Sequence, residues 1–269
     1  MSKRGSWQVF GLMALTLCLL LGWLYYLSCF TREQAGTQNA EKGPSGVAAA
    51  ADQRHTAVYD YSKPVPAAEG TIAADYFQDA VFIGDSRTTG LQLFGGPPEA
   101  VYYTAAGLKV DTVLTKPVVT AGEQKITIME ALRQHKFGKI YIMLGVNELG
   151  WAYSELFIQT YGEVIAEIKE IAPQAIIYVQ SILPVTKEKS LTDKIYNQQN
   201  INKYNELIRK MAAEQQVYYL DAAAAVQDDE GYLPAEAATD GIHLKPAYCR
   251  QWFEYLQQHY ITGGVVNEA

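Results

Sequence analysis

Cysteine is scarce: three in 269 residues, and two of them, Cys18 and Cys29, sit in one apolar run near the start of the chain. Cys249 is left alone in the remainder, so no disulfide can form within it. A domain outside the cytoplasm without disulfides must be held by its core, and the length beyond the apolar run suffices to build one. Clusters of Lys and Arg are also missing and the formal net charge is −7, which argues against a nucleic acid as partner. Mild acidity of this kind otherwise serves solubility. None of the four histidines stands in a metal-binding spacing such as His-Glu-x-x-His, and no metal or other cofactor is expected. No internal repeat is apparent.

Charge is absent from residues 9–30, a run rich in Leu, Trp, Tyr and Phe. As a helix it would span roughly 33 Å, enough to cross a hydrocarbon core of about 30 Å. Lys3 and Arg4 precede it, so the positive-inside bias predicts a cytoplasmic amino terminus, a single span and an extracytoplasmic remainder. The run exceeds the apolar stretch of a cleaved signal peptide, usually about 7–15 residues, and no Ala-x-Ala site closes it. A lipoprotein signal at Ser28-Cys29 is the other alternative, with Tyr26 where a Leu is expected.

From residue 31 to about 67 the chain turns to Gly, Ala, Ser, Gln and Pro without hydrophobic periodicity, which reads as a flexible tether. Its roughly 40 residues would have a mean span of about 35 Å. Tyr59, Tyr61, Pro64 and Pro66 are candidates for docking on the folded domain. The expected organisation is a cytoplasmic stub and membrane anchor over 1–30, a tether over 31–70, one folded domain over 71–262 and a tail over 263–269.

Within the domain, short apolar runs at 80–83, 101–104, 139–144, 175–181 and 217–220 predict strands covered on both faces of a parallel sheet. Amphipathic segments at 128–135, 153–171, 201–215 and 246–260 predict helices. Thr127 and Glu130 form a capping box for the first, and Pro173 closes the second. This alternation predicts an α/β fold, a three-layer α/β/α sandwich on a mostly parallel five-stranded sheet, with right-handed crossovers.

Four blocks fall at the ends of these elements. Gly84-Asp85-Ser86 follows the first strand, Ala105-Ala106-Gly107 the second and Gly145-Val146-Asn147-Glu148 the third, while Asp240-Gly241-Ile242-His243 precedes the last helix. Parallel strands bring the first three to one edge, where open α/β sheets place their ligands. A serine hydroxyl needs a base to take its proton and an acid to orient that base. Asp240 and His243, three residues apart in one turn, suit that pairing. Read singly, each block has another reading: Asn147 could cap a helix, and Asp240 could anchor a turn before Gly241. His55 lies in the tether, and His135 and His259 near helix ends, where surface placement is expected.

Taken together and in order, the blocks resemble the SGNH, or GDSL-type, hydrolase superfamily of esterases and lipases, over about residues 74–260. Ser86, Gly107, Asn147 and His243 match the four residues for which it is named. The resemblance implies Ser86 as nucleophile, His243 as general base and acid, and Asp240 as its orienting partner. It also implies an oxyanion hole from the N–H groups of Ser86 and Gly107 and the side-chain amide of Asn147.

Two departures stand out. Glu148 follows Asn147 where the family usually has Asp, and Arg87 follows the nucleophile where many relatives carry an uncharged residue. An ion pair between Arg87 and Glu148 is expected, with capture of an anionic substrate group by Arg87 as the alternative. Trp151 and Tyr153 could wall the substrate, although an aromatic residue near a strand end is more often core. The function expected is hydrolysis of a small acyl ester, acetyl above all, on a cell-envelope glycan or related carbohydrate. An O-acyltransferase or a lysophospholipase/lipase with the same triad, and a catalytically idle envelope-binding domain, are the alternatives. The polar segment 184–199 would make a poor lipid entrance.

Overall fold

The computed structural model describes residues 59–261. Five strands form one all-parallel sheet: β1 (Ala80–Gly84), β2 (Val101–Thr104), β5 (Lys139–Met143), β6 (Ile176–Gln180) and β7 (Tyr218–Leu220), in the order β2-β1-β5-β6-β7. All five expected strands form, within a residue or two of the expected ends. A two-stranded antiparallel hairpin, β3 (Val119–Ala121) and β4 (Gln124–Ile126), was not anticipated. It lies outside the main sheet and is half exposed, so it carries no buried apolar run to announce it.

Helices cover both faces, as the buried runs require. The aliphatic side chains Val81, Ile83, Ile140, Ile142, Ile177 and Val179 point to one face. There α2 (Ile128–Gln134), α3 (Ser154–Ile171) and α5 (Gln198–Glu214) pack on them through Leu132, Phe157, Ile165, Ile201 and Ile208. The opposite face is covered by α1 (Ser86–Phe94) and α6 (Pro246–Gln258). Here each strand contributes one aromatic ring at the same level, set by the register Tyr102, Phe82, Tyr141, Tyr178, Tyr218. Neighbouring centroids lie 5.2, 4.6, 4.6 and 5.8 Å apart, and the first three pairs are stacked. Such pairs add about 0.5–1.5 kcal/mol each beyond the area they bury.

Residues 59–68, placed in the tether by composition, belong to the domain. Tyr59 and Tyr61 extend the row of rings, 4.8 and 5.2 Å from Tyr218. Pro64 bridges Tyr219 in parallel fashion, the Val65 N–H donates to the Tyr219 carbonyl at 2.9 Å, and the Val65 side chain is buried. An edge contact made by single residues leaves no periodicity in the sequence.

Among the described residues no helix is long and apolar enough to cross a membrane. The run 9–30 expected as an anchor, the tether up to residue 58, residue 262 and the tail 263–269 lie outside the described residues.

Candidate active site

β1 delivers the nucleophile candidate directly into a helix. Asp85 caps α1, its Oδ1 accepting the Arg87 N–H at 2.9 Å, and Ser86 is the first helical residue. The N–H of a first helical residue has no partner inside the helix and sits at the positive end of its dipole. Ser86 thus offers both a hydroxyl and a main-chain donor at the carboxyl edge of the sheet.

The connection into α6 brings the other partners across. His243 Nε2 lies 2.9 Å from Ser86 Oγ, and His243 Nδ1 lies 2.6 Å from Asp240 Oδ2. The second oxygen, Asp240 Oδ1, accepts the backbone N–H groups of Ile242 and His243 at 3.0 and 2.8 Å. Asp240 therefore anchors its turn and orients the ring at once, which unites the two readings of this residue. With Nδ1 donating to the carboxylate, Nε2 is left as an acceptor facing the serine hydroxyl. Partial burial acts to raise the Asp240 pKa, but the backbone donors and the His243 ring outweigh it and hold the carboxyl well below the usual aspartate range. Half of each side chain is open to solvent, 50 % for His243 and 51 % for Asp240.

The turn is shaped by Gly241, at φ +80°. A Cβ there would come within 2.8 Å of Thr186 Oγ1 and Lys189 Cβ. Its carbonyl accepts the Thr186 N–H at 3.0 Å. The short helix α4 (Lys187–Thr192), inside the polar segment 184–199, thereby braces the histidine turn.

Gly107 also has left-handed backbone, φ +69°, and nothing lies within 4 Å of where its Cβ would be, so the space above it is open. Its N–H enters no backbone hydrogen bond among the described residues. Asn147 occupies a single 3-10 turn, Val146–Glu148, rather than a helix cap. Its amide donates to the Leu108 carbonyl at 3.0 Å and more weakly to Asp85 Oδ2 at 3.4 Å. All three expected oxyanion contributors thus reach the same edge. Asn147 must release its long contact to Asp85 to donate outward.

The expected ion pair between Arg87 and Glu148 does not form. Arg87 is buried and turns toward the segment after β6, donating to the carbonyls of Leu183 at 2.5 Å and Pro184 at 3.5 Å. Desolvation lowers its pKa to about 10, against the pull of the Asp85 and Asp240 carboxylates. A group this buried does not face a substrate anion. Glu148 is fully buried on another side, its Oε1 accepting the Val110 N–H at 2.7 Å. Both side chains satisfy backbone rather than each other, because the turn geometry aims them at different segments. Burial likewise raises Asp85 above its ordinary range, in spite of the Arg87 N–H and guanidinium. Trp151 is partly buried against the aliphatic core, whereas Tyr153 is 71 % exposed. Asp85, Thr186 and Tyr204, which donates to the Glu148 carbonyl at 2.9 Å, were not singled out from the sequence. For Asp85 a signal existed, since an Asp just before a helix is a cap candidate.

Residues 82–250 match the model of the GDSL-like lipase/acylhydrolase family. The chain belongs to that family, and it is a hydrolase of the GDSL type. Several solved structures are similar to it. One is a protein from Streptococcus pneumonia named for platelet activating factor, 21% identical over 68% of this chain and 89% of that one, with a TM-score of 0.53. Another, from Bacteroides fragilis NCTC 9343 and named as an acylhydrolase, is 14% identical over 66% and 84%, with a TM-score of 0.50. At these identities the likeness is one of fold. No curated protein sequence matches the chain.

Proposed function

We propose that the chain is a serine esterase that removes a small acyl group, acetyl above all, from a cell-envelope glycan or related carbohydrate. Ser86 Oγ attacks the ester carbonyl while His243 Nε2 takes the hydroxyl proton and then returns it to the departing alcohol. Water, deprotonated by the same nitrogen, next hydrolyses the acyl-enzyme. Asp240 holds the ring in the required tautomer and stabilises the imidazolium. The N–H groups of Ser86 and Gly107, with the Asn147 amide, receive the oxyanion; removing one such donor typically costs about 3–4 kcal/mol.

The observation that carries this reading is the unbroken set of contacts from Ser86 Oγ through His243 to Asp240, at 2.9 and 2.6 Å. Half exposure of the histidine and aspartate supports a bulky alcohol portion, since the leaving oxygen must reach His243 at an open rim. The uncharged run at 9–30 supports placement at the extracytoplasmic face of a membrane.

A lipid ester is the second reading. Leu191 and Ile195, in the segment expected to be polar, are 74 % and 43 % exposed. A panel of acyl esters from acetyl to long chains, run beside acetylated oligosaccharides, tests the proposal. Fast release of acetate from the oligosaccharides and falling rates with chain length are expected; the reverse preference overturns the glycan reading. With a sugar acceptor added, a new ester among the products would establish an acyltransferase. Failure of a fluorophosphonate probe to label Ser86 would leave an idle domain.

A further inference from the structure

Two neighbouring side chains of the Val146–Glu148 turn grip the loop after β2. Asn147 donates to the Leu108 carbonyl at 3.0 Å, and Glu148 accepts from the Val110 N–H at 2.7 Å. Between them they fix the stretch that begins at Gly107 against the turn that carries Asn147. The far side of that turn is held by Tyr204 through the Glu148 carbonyl. Glu148 is completely buried, and its Oε2 has no protein partner.

We propose that Glu148, in its protonated form, is a positioning residue that keeps the Gly107 and Asn147 oxyanion donors in register, and that its ionisation suppresses catalysis at alkaline pH. The proposal rests on the esterase reading above. The carboxylates facing Glu148 are unfavourable to a negative charge on it: Asp85 from the β1–α1 junction and Asp111 from the loop after β2. The Tyr161 and Tyr204 hydroxyls, from α3 and α5, are neutral neighbours, and Tyr204 donates to the Glu148 carbonyl. Lys109 supplies a positive charge from the same loop, and Arg87 acts on Asp85 and Asp240. Desolvation first, and then Asp85 and Asp111, raise the Glu148 pKa to about 8 despite the Val110 N–H. At neutral pH the side chain is therefore a neutral acid that accepts one backbone hydrogen bond. Once ionised it places a buried negative charge behind the hole in which a second negative charge must develop, so the loss falls on kcat.

The test uses the full-length chain and an acetyl ester, with kcat and KM followed from about pH 6 to 10. Above about pH 8, where Glu148 ionises, the parent kcat is expected to fall by about tenfold per pH unit with KM little changed. Glu148→Gln, isosteric with the protonated acid, is expected to remove that fall while staying within about tenfold of the parent at neutral pH. Glu148→Ala should lower kcat about a hundredfold, as loss of an oxyanion donor does, and strip the Val110 amide of protection in hydrogen exchange; Glu148→Gln should keep it. In 13C-glutamate-labelled parent, one carboxyl should titrate near pH 8 and be missing from Glu148→Gln. Persistence of the alkaline fall in Glu148→Gln, its removal by Asp85→Asn instead, or titration of every glutamate in the ordinary range would overturn the proposal. Should Glu148→Ala not fold, the Gln variant and the carboxyl titration decide alone. Should the parent hydrolyse no ester, the esterase reading fails, and the titration and exchange data still decide the state of Glu148.

Discussion

The two halves of the site differ in how they hold charge. On the nucleophile side, Asp85, Arg87 and Glu148 are buried, and burial drives each toward its neutral form: Asp85 upward, Glu148 to about 8, Arg87 down to about 10. On the histidine side, Asp240 and His243 stand half in water, and the carboxylate is kept ionised by donors aimed at it. The buried half can fix geometry because its groups are tied to backbone atoms. The exposed half can move protons because water and a short turn accommodate the change in charge. Shape and proton traffic are thus assigned to opposite sides of one hydroxyl.

The contrast breaks first at the hydroxyl itself. Ser86→Ala is expected to reduce kcat/KM at least about 10⁴-fold with folding unaffected; comparable turnover in that variant would refute the esterase mechanism. Asp240→Asn should cost about 10²–10⁴ in kcat while the domain stays folded, since the Asn oxygen can still accept the Ile242 and His243 N–H groups. Unfolding of that variant at neutral pH would erase the distinction between the halves. Arg87→Leu should behave the opposite way: leaving two carbonyls without their donor is expected to lower unfolding free energy by about 2 kcal/mol in urea titrations. Gly241→Ala is expected to cost about 1–2 kcal/mol, from the left-handed backbone, and to lower kcat by loosening the histidine turn. Smallest is the acid side of Asp240. Its folded pKa lies below the unfolded value, so the stability it confers is present above the ordinary aspartate range and is lost as pH falls toward the folded value. Urea midpoints of parent and Asp240→Asn should therefore converge on acidification.

Much of the fold is legible in the amino-acid sequence, and for definable reasons. The five strands announce themselves because both faces are covered, which leaves continuous apolar runs such as Ile140 to Met143. The four blocks can be ordered in space because parallel strands end on one edge. Helix α1 gives no such signal: Ser86 to Phe94 includes Thr88, Thr89 and Gly90, poor helix formers, and what starts it is the Asp85 cap. The partners of Arg87 and Glu148 are illegible for a different reason. Both bind backbone atoms, Leu183, Pro184 and Val110, and a sequence displays side-chain complementarity but not which main-chain groups lie nearby. The edge contact of residues 59–68 is hidden in the same way.

That edge contact has a mechanical consequence. Whatever precedes Tyr59 joins the body at β7, with β5 and β6 lying between it and β1, the strand that leads into Ser86. Tension arriving from the leading polypeptide would be taken up at Tyr219 and by the rings beside Tyr218. The chain can be pulled from that end without the strain reaching the Ser86 and His243 pair first.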